Sequence, residues 1–259
     1  MTQQHFTTEA IPDGDVPALC INLHADQIIT LAKELYTAEE APTVRLLADG
    51  EQIKDALSNF ITASKIADLV DSDQLDIRTL NEPVQNAMMA TNSETVVPLM
   101  GGHTVTSADE DVAAAVYSEF TSRFEDAENY HLRTPAISKV KSTIREELGD
   151  DIGDDLDVVL SHAEEISNSN EYLDIVEVTM LLAARNEALL YDISKWGEDT
   201  GVASKATYSR TKSALEEAGL ITTEKVPLDI GRPRLRLIAT EKIANADLKT
   251  LSSDITSRV

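Results

Sequence analysis

Cysteine is nearly absent from this chain. Cys20 stands alone, which excludes an intramolecular disulfide and any cysteine-based metal site and points to a reduced interior. Basic residues are also scarce: 22 Lys and Arg face 46 Asp and Glu, a formal net charge of -24, unusual for a nucleic-acid binder. Long apolar runs are missing. The longest uncharged stretch, Thr95 to Ala108, is too short and too polar to span a bilayer, and no basic-then-apolar leader opens the chain, so no membrane association and a cytoplasmic location are expected. Catalytic signatures are lacking too. His5, His24, His103, His131 and His162 are far apart, with no metal-spaced pair, P-loop or G-x-S-x-G, so no enzyme activity, cofactor or metal is expected.

What is present is 259 residues with 42% apolar content, enough for roughly two domains at about 100–200 residues each. The acids are spread along the whole length without a block of like charge, as suits a protein kept hydrated in concentrated salt, and a halophile cytoplasm is the expected setting. At about 1 M salt the Debye length is only about 3 Å, so any DNA binding would rest on close contacts at a locally non-acidic surface. One segment offers that surface. From Lys195 to Lys242 there are nine basic and seven acidic residues, leaving thirteen basic against thirty-nine acidic elsewhere.

The N-terminal part alternates strand and helix patterns. Residues 1 to 17 read as a loose arm, Ala18 to Leu23 as a strand and Asp26 to Tyr36 as a helix; Thr43 to Ala48 is a strand and Glu51 to Val70 one helix. Leu75 to Leu80 alternates as a strand, Asn81 to Ser93 is a connection, and Thr95 to Met100 with His103 to Thr106 form a hairpin across Gly101-Gly102. Asp109 to Ala127 is a strong helix. Residues 1–133 are thus expected to be an α/β regulatory or effector-sensing domain, with a pocket near Asn81 to Ser93 and the Gly101-Gly102 turn.

Residues 134–170 read as a helical linker containing Ala136 to Leu148 and Leu156 to Ile166. The acidic Gly149 to Asp155 run between them reads as a solvated boundary or cap, since it lacks the spacing of a calcium loop. In 171–259, Tyr172 to Asn186 and Glu187 to Trp196 are two helices, Gly201 marks a turn, and Ser204 caps a third helix that Gly219 ends. The alternating strands that follow enclose Gly231-Arg232-Pro233-Arg234. Helix, helix, turn, helix and basic hairpin make a winged helix-turn-helix. Glu241 to Val259 carries Leu248, Leu251 and Ile255 as a stripe on a terminal helix, expected to pack on the wing domain or, preferably, on a second copy.

Within the third helix, Tyr208 and Leu215 share a face that is expected to be core, with Ala218 three residues on. Ser204, Lys205, Thr207, Ser209 and Arg210 occupy the N-terminal half, the part that enters a major groove, where Arg210 suits a guanine or a phosphate. Arg232, Arg234 and Arg236 alternate with Leu235 and Leu237 and suit phosphate or minor-groove contact better than a merely solvated strand face. Lys212 is anomalous. It falls near the core face, so either its stem snorkels past the core edge or the helix is rotated.

The segments LLYDISKWGEDTGVASKATYSRTK and EKVPLDIGRPRLRL, with TVRLLADGEQIKDAL and LRTPAISKVKSTIREELG upstream, closely resemble the haloarchaeal winged-helix transcriptional regulators typified by TbsP. The resemblance covers most of the chain and implies a DNA-binding regulator with a separate N-terminal domain, connected with the control of sugar metabolism. The N-terminal domain is also similar to phospholipase-D-like sensor domains of archaeal regulators. The H-x-K motif of such enzymes is missing, because His103 precedes Thr-Val and His131 precedes Leu-Arg, so that catalysis is not expected.

The expected partners are double-stranded DNA, a second copy in a homodimer and a small-molecule effector of the N-terminal domain. A protein-binding adaptor in a transcription complex is the competing expectation, favoured by the net charge of -24.

Overall fold

The computed structural model describes residues 16–99, 103–166, 173–228, 232–249 and 251. Most of the expected N-terminal arm, the Gly101-Gly102 turn, the 167–170 helix break, Gly231 at the hairpin tip and Ile255 lie outside the described residues. The chain divides into two units, Met1–Leu132 and Arg133–Val259.

In the first unit, β1 (Ala18–Ile21), α1 (Ala25–Thr37), β2 (Val44–Ala48), α2 (Gly50–Ala56), α3 (Phe60–Asp71) and β3 (Leu75–Thr79) are followed by β4 (Met88–Ala90), β5 (Thr95–Pro98), β6 (Thr104–Ser107) and α4 (Glu110–Asp126). The strands form one sheet in the order β3-β2-β1-β4-β5-β6. β1, β2 and β3 are parallel, whereas β4, β5 and β6 continue antiparallel.

All four residues of β1 are buried because helices cover both of its faces. Ala18 and Cys20 belong to the cluster holding Ile28, Leu31 and Leu35 of α1 and Ile66 and Leu69 of α3. Leu19 and Ile21 point the other way, onto Phe120 and Phe124 of α4. Period-two alternation therefore divides one apolar run between two cores.

Two expectations change here. The helix expected over Glu51 to Val70 is split, because the Asn59 side chain accepts from Ile61 N at 2.9 Å and Thr62 N at 3.2 Å and starts α3 afresh. The Asn81 to Ser93 connection contains β4, which joins β1 to β5; three residues are too few to show alternation. The 95–106 hairpin is observed as β5 and β6.

In the second unit, α5 (Ile137–Leu148), α6 (Asp150–Ile166), α7 (Ile175–Arg185), α8 (Leu190–Thr200) and α9 (Lys205–Glu217) precede the hairpin of β7 (Ile221–Val226) and β8 (Arg234–Ala239) and the short α10 (Glu241–Ala244). The described part of the expected 134–170 linker packs within the second unit. Val140, Ile144, Ile152, Leu156, Val159 and Leu160 are buried, and α5 is tied to α8 where Trp196 Nε1 donates to Thr143 Oγ1 at 2.9 Å.

The boundary expected at the acidic run is observed at Gly149, but the aspartates after it begin α6 instead of forming a solvated linker. Gly149 at φ 105 ends α5, and Asp150 and Asp151 then lie in the first turn of α6, where the helix dipole favours them. Arg145 of α5 reaches Asp154 at 2.5 Å and Asp157 at 2.8 Å, and Asp155 lies 3.9 Å from Arg185, so these acids gain cations. At the C-terminus, Ile243 and Leu251 are buried within this chain, and Arg185 donates to the carbonyls of Ile243 and Ala246 at 2.7 and 2.9 Å. Of the expected stripe, Leu251 is buried within this chain and Leu248 half-buried, so the preference for packing on a second copy is corrected for Leu251.

Burial pushes the Cys20 thiol up from its ordinary range to about 12. Native protein should resist a thiol reagent at pH 8 and label at the rate of unfolding. Above pH 9 the unfolded thiol loses a proton that the native one keeps, so this group lowers stability by about 1.4 kcal/mol per pH unit as pH rises. Cys20→Ala should flatten that alkaline decline in denaturant titrations; an unchanged slope refutes the assignment.

Candidate nucleic-acid interface

The angle between α8 and α9 is built from a glycine and a tyrosine. α8 ends at Gly201, in the left-handed region with φ 92, and Ala203 N returns to Gly197 O at 3.1 Å. Ser204 then caps α9 by accepting from Thr207 N at 3.2 Å. Tyr208 lies against Gly197 so closely that a Cβ there would stand 2.1 Å from Tyr208 Cε2. Its hydroxyl pairs with Thr179 Oγ1 of α7 at 3.3 Å. Tyr208 is fully buried and Leu215 nearly so, as the core reading of that face expects. Ala218 is exposed instead, because the helix ends there and Leu220 takes the buried place.

With that side committed to the core, Lys205, Ala206, Ser209, Arg210 and Ser213 are left exposed. Lys212 is explained by snorkelling. Its side chain is only 17% exposed and runs to Glu216 at 2.7 Å, while Glu216 also accepts from Thr223 Oγ1 of β7 at 2.8 Å. The ammonium thus helps join α9 to the hairpin, and the lysine hydrogen bond, with that of Thr223, holds the Glu216 carboxyl below its ordinary range.

The hairpin packs through Leu237, which is fully buried. Leu237 N also donates to Ala188 O at 3.0 Å, and Leu189 bridges antiparallel to Arg236, so the chain just before α8 lines up beside β8. Arg234 stacks over Tyr191 at 4.0 Å and reaches Asp192 at 3.4 Å. Arg236 pairs with Glu224 at 2.9 Å and approaches Glu187 at 4.0 Å.

The eight residues singled out from sequence therefore differ in their surroundings. Ser204 spends its hydroxyl on the cap and on Thr207 Oγ1 at 3.0 Å. Thr207 is half-buried and also accepts from Arg210 Nη2 at 3.3 Å. Ser209 is exposed. Lys205 is held by Glu198 at 2.6 Å, which keeps the lysine pKa raised and the glutamate pKa lowered. Arg210 and Arg232 are exposed and outside any ion pair among the described residues.

Tyr191 is a residue that sequence reasoning missed, and it holds the Arg234 guanidinium in place. Nearly half exposed in the first turn of α8, it carries Arg234 on its ring at 4.0 Å. The signal was available: Ile193, Trp196, Gly197 and Thr200 define the buried face of α8, and Tyr191 falls off that face.

Two helices joined by a tight left-handed turn, the second with an exposed polar face, define a helix-turn-helix protein. The profile described as transcriptional regulator TbsP-like, C-terminal HTH domain, matches residues 136–256, and that described as transcriptional regulator TbsP-like, N-terminal, matches residues 1–135. The chain belongs to the TbsP-like family of transcriptional regulators, and its helix-turn-helix domain supports DNA binding. No curated protein and no solved structure gives a significant match. Among the described residues, no three His, Cys, Asp or Glu side chains gather as metal ligands and no helix is long and apolar enough to cross a membrane.

Gly197→Ala should destabilise the second unit by about 1–3 kcal/mol or more through overpacking against Tyr208. Tyr208→Phe, which keeps the ring and loses only the Thr179 pairing, should cost about 1 kcal/mol. Calorimetric melting of both variants checks the order. Equal stability of Gly197→Ala and the parent would refute the close approach.

Proposed function

We propose that the second unit is a winged helix that binds promoter DNA, with the N-terminal half of α9 in the major groove and the β7–β8 hairpin as the wing. The carrying observation is the division of α9. Tyr208 and Leu215 are buried, leaving Lys205, Ser209 and Arg210 outward on the half of the helix that enters the groove in such folds. Arg210 and Ser209 read base edges, Arg232 and Arg234 hold the phosphate backbone, and Arg236 steadies the wing strand through Glu224. Ser204 and Thr207 act mainly by fixing the helix start.

The first unit is a non-catalytic, phospholipase-D-like domain that senses a small effector or joins two copies in a homodimer, so that two wings engage a pseudo-palindrome. The regulated genes belong to sugar or central carbon metabolism, and the setting is a halophile cytoplasm, in keeping with a net charge of -24.

One observation favours a second reading. Arg234 and Arg236 already have carboxylate partners, and a neutralised wing suits a protein-binding adaptor of a transcription complex.

The two readings separate in a binding assay with genomic promoter fragments in concentrated potassium chloride. The DNA reading expects a specific fragment, with affinity reduced about tenfold or more by Arg210→Ala and reduced again by Arg232→Ala/Arg234→Ala. Unchanged specific binding in both variants rejects this surface. No specific fragment at any salt favours the adaptor.

A further inference from the structure

The cations of the candidate interface come in two kinds. Lys205 is held by Glu198 at 2.6 Å and Arg234 by Asp192 at 3.4 Å, whereas Arg210 and Arg232 lie outside any ion pair among the described residues. The paired groups are not core pairs. Their side chains keep 46% and 45% exposure for Lys205 and Glu198, and 35% and 42% for Arg234 and Asp192, so solvent and a duplex can reach all four. Exposed pairs of this kind are weak and exchange readily. Both carboxylates belong to α8 and hold cations borne by α9 and β8, the two elements assigned to the DNA. The Tyr191 ring, 4.0 Å from the Arg234 guanidinium, keeps that arginine in place whichever anion it faces.

We propose that Glu198 and Asp192 are working parts of the DNA site, standing in for backbone phosphates in the free protein, and that on binding they give up Lys205 and Arg234 to the duplex and each take up a cation from solution. The inference rests on the DNA-binding reading and adds how that site responds to salt. A phosphate neutralised by a protein cation releases about 0.9 monovalent ion from the duplex. A carboxylate stripped of its partner beside that polyanion draws one in. Release and uptake cancel for Lys205 and Arg234. Among the described residues Arg210 and Arg232 have no carboxylate to vacate, and they release ions in the ordinary way, so of these four cations they carry the salt dependence of affinity. Binding then survives salt concentrations at which an interface of four unpaired cations would fail.

The test uses the full chain and the duplex selected in the fragment assay, with the dissociation constant measured over a potassium chloride series. Asp192→Asn/Glu198→Gln should tighten binding at low salt and steepen the slope of log affinity against log salt by about 2. Lys205→Gln should weaken binding with no change of slope, while Arg210→Ala should flatten it by about 1. Glu39→Gln/Glu40→Gln removes the same charge from an exposed loop of the first unit and should leave the slope unaltered. An unchanged slope in Asp192→Asn/Glu198→Gln, equal steepening in the Glu39/Glu40 control, or a slope loss in Lys205→Gln equal to that of Arg210→Ala overturns the exchange and leaves the DNA reading standing. If the double variant fails to fold by circular dichroism, the contrast between Lys205→Gln and Arg210→Ala decides alone. A wild-type chain that binds no fragment removes both proposals.

Discussion

The contact of Tyr208 with Gly197 sets the geometry of the second unit. Only a residue without a Cβ lets the ring approach α8 so closely, and that approach fixes how α9 leaves the turn. The ring in turn reaches Thr179 of α7, so one side chain joins all three helices of the motif. The consequence is functional as well as structural. Once Tyr208 and Leu215 face inward, helical periodicity dictates that Lys205, Ser209 and Arg210 face outward. Lys212, between the two faces, finds its place by running along the core edge to Glu216, which also holds Thr223 of the hairpin.

Acidity is the second constraint. A chain with 46 acidic residues must place them where they do not repel one another, and the second unit does so by surrounding cations. Arg145 gathers Asp150, Asp154 and Asp157 at the α5–α6 junction, turning a run of like charge into a helix start. The same habit reaches the candidate interface, where Glu198 and Asp192 meet Lys205 and Arg234. Local net charge, counted along the sequence, therefore overstates the positive field of this surface. What remains is a set of short-range groups, and these are the contacts that screening by concentrated salt spares.

Much of this was legible beforehand because the signals are local. Ser204 before an Ala- and Leu-bearing run announces a cap, Gly201 a turn and Gly219 a helix end, and all three hold in the structure, the two glycines with positive φ. The inward side of α9 was legible from the seven-residue spacing of Tyr208 and Leu215. The misses are of two kinds. Asn59 restarting a helix and the aspartates opening α6 rest on partners within about ten residues and were in reach of local signals, whereas the three-residue β4 and the packing of α5 into the second unit depend on partners distant in sequence. Tyr191 was missed for the same reason, since its importance comes from Arg234, which lies far along the chain and reaches it only across the folded hairpin.

The sequence by itself determined the caps, the turns, the alternation of strands and helices in the first unit and the amphipathic division of α9, because each follows from backbone preferences and side-chain periodicity within a few residues. Tertiary structure alone decided which cations are already partnered. Glu198 and Lys205 lie on either side of a turn, and Asp192 and Arg234 on separate elements; only the folding of α9 and β8 against α8 brings each pair within reach. Charge is a property of residues, but its availability to a ligand is a property of distances, and those belong to the fold.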